Sequence, residues 1–113
     1  MIYLCNTFTP HMFPRMDIDE EHLIRIRRID GYEAEDILKE NAFRSFYGHG
    51  SSAEHLARFL HLDIPVSRGY VVFRPGDVVI VAAITGKREW EAGRKPYPGW
   101  VFFEVTYYGD AEH

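Results

Sequence analysis

A chain of 113 residues with a formal net charge of −4 is long enough for one domain that folds without disulfides or metal, and too short for two. A single cysteine, Cys5, excludes an internal disulfide framework and argues for a reducing compartment. The acidic total disfavours a long nucleic acid bound over a broad face, and with neither a membrane-length apolar run nor a leader-like start the chain is expected to be soluble, intracellular and cytoplasmic.

Ile2-Tyr3-Leu4-Cys5 is a short apolar strand in which Cys5 reads as core packing. Asn6-Thr7-Phe8-Thr9-Pro10 follows as a polar turn, and Pro10 suits the first position of a short helix through Met12. Asn6 and Thr9 stand at a strand end, where side chains face a ligand crevice in α/β sheets or simply form an Asx-type turn and a helix cap. Pro14 to Glu21 is a polar linker. Leu23 to Ile29 alternates Ile24/Arg25/Ile26/Arg27, which predicts a half-exposed strand with its arginines outward.

Asp30-Gly31 turns the chain, Tyr32 to Lys39 is a short acidic helix, and Ala42 to Tyr47 leads back to the sheet. Next comes Gly48-His49-Gly50-Ser51-Ser52-Ala53-Glu54, read as a sharp turn opening into a helix that runs from Ser51 to about Leu62. Ser51-x-x-Glu54 fits a capping box, and Ala53, Leu56, Ala57 and Leu60 share one helix face. The free N–H groups and dipole of such a helix start favour an anion, and a histidine beside it can move a proton near neutral pH. His49 is therefore the candidate acid/base group, next to a phosphate.

Val66 to Phe73 is a predicted strand containing Arg68, Pro75-Gly76-Asp77 is a turn, and Val78 to Ile84 is a continuous apolar strand covered on both faces. Thr85 to Gly99 is a charged Gly/Pro-rich loop, long enough to be functional or mobile, Trp100 to Tyr107 is the last strand, and 108–113 is a tail. Charge is uneven along the chain. Asp17 to Glu40 holds nine acids and four bases, whereas Arg68 to Lys95 holds six bases and three acids. A small basic pocket for a compact polyanion fits this better than a DNA-binding surface. No metal-ligand spacing stands out: His49, His55 and His61 are six apart, so the last two point to different sides of a helix. No phosphate-loop, dinucleotide or Gly-x-Ser-x-Gly motif occurs.

Four of these segments, Tyr3-Leu4-x-Asn6-x-Phe8-Thr9, Gly48-His49-x-Ser51-Ser52, Arg68 and Arg88-x-x-Glu91, come in an order and spacing that resembles the viral ring nuclease family, type III anti-CRISPR proteins of archaeal viruses with phage and bacterial relatives. The resemblance covers Ile2 to about Tyr107. It implies an α/β fold: one domain over 1–113 with a mixed five-stranded β-sheet flanked by α-helices. It also implies a homodimer that binds cyclic tetra-adenylate at its interface and cuts it to linear di-adenylates without metal or cofactor. The family's catalytic positions fall on His49, Arg88 and Glu91, and its substrate contacts on Asn6, Thr9, Gly48, Ser51, Ser52 and Arg68. The loop reads Arg88-Glu89-Trp90-Glu91-Ala92-Gly93 where the family often has Arg-Leu-x-Glu-Gly, so Glu89 rivals Glu91. The competing expectations are a protein that holds a cyclic oligonucleotide without cutting it, a small DNA-binding regulator, and a ribonuclease acting on linear RNA.

Overall fold

The computed structural model describes residues 1–14, 16–48, 50–69, 71–84 and 99–111. Its strands are β1 (Ile2–Cys5), β2 (His22–Ile29), β3 (Phe43–Phe46), β4 (Val78–Ile84) and β5 (Trp100–Asp110), and its helices are α1 (Gly31–Glu40) and α2 (Gly50–Leu60). The strands form one sheet in the order β2-β5-β4-β1-β3. β1 pairs in parallel with both β3 and β4, while β5 runs antiparallel to β4 and β2. The fold is therefore the expected mixed five-stranded α/β sheet with helices against it.

Both helices pack on one face. Ala34 and Leu38 of α1 and Ala53, Leu56 and Leu60 of α2 close over Leu4, Ile80, Ala82 and Phe102. The other face carries Cys5, Val79, Val81, Val105 and Tyr107, and it is covered by connecting segments through Met12, Val71 and Phe73, with Phe8 and Phe13 packed beside them. α1 starts where Asp30 caps it, its carboxylate accepting from the Glu33 N–H at 2.9 Å. α2 ends with His61 at φ +54° and the Leu62 N–H donating to the Ala57 carbonyl at 3.1 Å, a left-handed cap closed by a 6→1 bond.

Three sequence expectations are corrected. The described residues of 66–73 form no strand: Val66 makes one isolated bridge to Tyr47, and no ladder follows among them. Val71 and Phe73 are buried and Val72 exposed, so the alternation is real, but it reports one-sided burial over the sheet. The Phe73 N–H goes to the Met12 carbonyl at 2.8 Å instead of to a strand. Secondly, β5 continues to Asp110, through the first half of the predicted tail 108–113. Gly109, at φ +90°, sits where the β2 register shifts between Leu23 and Ile24, and a Cβ there would stand 2.9 Å from Pro75 Cγ. Thirdly, the β2 arginines are not simply outward. Arg27 lies on the helix side, 2.7 Å from Glu33 Oε2 and 3.3 Å from Glu104 Oε1, while Ile26 on the opposite side is 56% exposed. The remaining helix ends differ from expectation by one or two residues.

Burial has measurable consequences. Leu56 is fully enclosed between α2 and the sheet, so Leu56→Ala is expected to lower stability by about 2–5 kcal/mol in urea unfolding. Burial also pushes the Cys5 thiol up from 9.0 to about 11 and the Tyr47 phenol up from 10.0 to about 12. Each group then ionises first in the unfolded chain, so stability is intact below pH 9 and falls as pH rises toward 11, by roughly 1.4 kcal/mol per unit per group at most. Urea midpoints at pH 8, 9.5 and 10.5 should show this decline, and Cys5→Ala should flatten it; an unchanged slope in the variant contradicts the assignment.

Candidate functional site

The parallel strands end together. Cys5 of β1 lies beside Phe46 of β3 and Val81 of β4, so Asn6-Thr7 and Tyr47-Gly48 leave the sheet at the same end, next to Ala82-Ala83, where β4 runs on against β5. α2 begins at Gly50, directly after the β3 exit, and has no acidic residue in its first turn to neutralise its positive end. The isolated bridge from Tyr47 to Val66 and the hydrogen bond from the Ser67 N–H to the Tyr47 carbonyl, 3.1 Å, lay Ser67-Arg68-Gly69 alongside the same exit. A Cβ on Gly48 would stand 3.8 Å from the Ser67 carbonyl oxygen, and one on Gly69 would stand 3.2 Å from Phe46 Cε1. The two segments are thus in close contact.

This end of the sheet gathers Asn6, Gly48 and the α2 start with Ser51 and Ser52, with Arg68 beside them. Ser51 and Arg68 are exposed, and Asn6, Gly48 and Ser52 are half-buried. Arg68 reaches this end from an irregular segment, not from the strand expected. Ser51 lies inside the first turn of α2 instead of capping it, and Glu54 pairs with Arg58 one turn on at 3.2 Å, so the capping box is not formed. Thr9 precedes the 3-10 turn Pro10–Met12; its carbonyl accepts from the Met12 N–H at 3.1 Å and its side chain makes no cap bond. His49, Arg88, Glu91 and the rival Glu89 lie outside the described residues.

A groove of about 320 Å³ opens beside Asn6 on the sheet face away from the helices. Val81, Phe103 and Val105 floor it, and Asn6, Phe8 and Ile26 edge it. Sequence patterning missed it because the alternation of β2 predicts only a half-exposed strand with its arginines outward. The signal available was that alternation alone, which says that one side is apolar and not whether anything covers that side. Among the described residues no group of three or more His, Cys, Asp or Glu could hold a metal ion, and no helix is long and apolar enough to cross a membrane. His55 stacks on Phe59 with centroids 4.8 Å apart.

The architecture defines a small α/β protein with polar residues gathered at the carboxyl end of the parallel strands β1 and β3 and an apolar groove beside Asn6. The chain belongs to the STIV B116-like family, whose model matches residues 2–93. Its relatives include uncharacterized protein 26 of Sulfolobus islandicus filamentous virus, 26% identical over 117 residues, which span 95% of this chain and 94% of that one. Uncharacterized protein ORF117 of Acidianus two-tailed virus is 34% identical over 86 residues, spanning 74% of this chain and 69% of that protein. The solved structure of B116 of Sulfolobus turreted icosahedral virus superposes with a TM-score of 0.68 at 18% identity, covering 93% of this chain and 97% of B116. These are proteins of archaeal viruses.

Proposed function

We propose that the protein is a metal-independent ring nuclease that binds cyclic tetra-adenylate at the interface of a homodimer and cuts it to linear di-adenylates, switching off type III CRISPR signalling. The observation that carries the reading is the convergence of Asn6, Gly48, the α2 start and Arg68 at one end of the sheet. Their chemistry suits a phosphodiester: an uncompensated helix N-terminus and an exposed guanidinium offer donors and positive charge. The neighbouring groove, edged by Phe8 and floored in part by Phe103, offers aromatic surface to a base.

RNA carries its own nucleophile. The ribose 2′-OH attacks the adjacent phosphorus as its proton passes to water, the bond to the 5′ oxygen breaks, and that oxygen takes a proton from His49. The products are a 2′,3′-cyclic phosphate and a 5′-OH. Holding the 2′-OH in line supplies several kcal/mol of the barrier, and a positioned general acid adds roughly 10²–10⁴-fold. Arg88 and the α2 start steady the charge on phosphorus, and Glu91 orients Arg88 or His49. A twofold dimer matches the symmetry of the ring, so its two His49 side chains address opposite phosphodiesters, and two cuts give two di-adenylates.

Single-turnover assays with EDTA present test this reading. Wild type should linearise cyclic tetra-adenylate, and His49→Ala should lose about 10²–10⁴-fold in rate while still binding. Binding without cleavage by wild type would overturn the nuclease assignment, and neither binding nor cleavage would overturn the ligand as well. Arg68→Ala should weaken ring binding by about tenfold and lessen its salt dependence, as measured by titration calorimetry at two ionic strengths.

A further inference from the structure

At the end of the sheet remote from Gly48 and the α2 start, Glu20, His22 and Tyr107 form a hydrogen-bonded series. His22 Nε2 lies 2.7 Å from Glu20 Oε2, and His22 Nδ1 is hydrogen-bonded to the Tyr107 hydroxyl. The carboxylate requires a proton on Nε2, so in the neutral ring Nδ1 accepts from the phenol. The two rings lie nearly parallel, 6° apart, with centroids separated by 5.6 Å. Burial, and then the charges of Glu20 and Asp110, raise the Tyr107 phenol above its ordinary value and keep it a donor.

Tyr107 is also the first ring of an aromatic row. Its centroid is 5.1 Å from Phe13, which is 5.5 Å from Phe8, and Phe73 touches all three. Phe8 lies between Asn6 and Thr9. The Tyr107 backbone is held separately: its N–H donates to Asp77 and its carbonyl accepts from Gly76. The side-chain series therefore sets how the ring is oriented, not where the strand runs.

We infer that Glu20, His22 and Tyr107 are positioning residues: through Phe13 and Phe8 they hold the Asn6–Thr9 segment in the conformation that receives the ligand. For its ligand the inference rests on the ring nuclease reading. Tyr107→Phe keeps the ring and removes the hydroxyl. It should weaken cyclic tetra-adenylate binding by about tenfold, leave the single-turnover rate at saturation unchanged, and speed amide exchange at Asn6, Thr7 and Phe8 with global protection retained. Glu20→Ala should do the same, and Glu20→Gln, which keeps an acceptor for Nε2, should restore near wild-type affinity. Unchanged affinity and exchange in Tyr107→Phe and Glu20→Ala would overturn the inference, as would loss of protection across the whole chain, the mark of a merely structural role. If wild type does not bind the ring, the ligand reading fails by itself. Amide exchange then decides the positioning claim: faster exchange confined to Asn6–Phe8 upholds it, and unchanged exchange overturns it.

Discussion

Everything in this fold depends on burying β1 inside the sheet, between β3 and β4. Four residues must be satisfied on both edges and both faces by parts of the chain remote in sequence, and Leu4 and Cys5 are almost fully enclosed as a result. Parallel neighbours cannot be joined by hairpins, so the chain must cross over between them. The crossover from β3 to β4 begins with α2, which has to start at the end where β1 and β3 finish. The gathering of Asn6, Gly48 and a helix N-terminus follows from that topology. The same enclosure raises the Cys5 thiol, so the residue that anchors the core is unsuited to be a nucleophile.

The two faces of the sheet are completed differently. The helix side is closed by two amphipathic helices that also touch each other. The opposite side relies on aromatic side chains from connecting segments, which cover the Tyr107 end and leave a groove toward the carboxyl end of β1. Loops that supply rings while meeting few backbone partners can be adjusted without disturbing the sheet. That division, a rigid sheet and helices behind and an aromatic surface in front, suits recognition of a ligand with flat bases and a charged backbone.

Much of this was legible in the residues. The apolar runs of β1 and β4, the 3.6-residue pattern of Ala53, Leu56, Ala57 and Leu60, and Pro10 at the head of its short turn each carry a local cause that tertiary packing left intact. Segment 66–73 misled because period-2 burial arises whenever an extended segment lies on a core, with or without a pairing partner. The β2 arginines misled because alternation does not say which side of a strand meets a helix, and two acids, Glu33 and Glu104, waited on that side for Arg27. Asp30-x-x-Glu33 was a readable helix start, yet the more conspicuous Ser51-x-x-Glu54 drew the capping assignment. The groove had no sequence signature, because a cavity belongs to several strands at once. The Glu20–His22–Tyr107 series was equally hidden, since Tyr107 lies 85 residues from His22.

The most direct test of this account is a titration of the ¹⁵N-labelled protein with cyclic tetra-adenylate, followed amide by amide. The account predicts saturable shifts concentrated at Asn6, Thr7, Gly48, Gly50–Ser52 and Arg68, with the α1 amides and the β2 end of the sheet little changed. Shifts confined to other regions, or none at ligand excess, would contradict it.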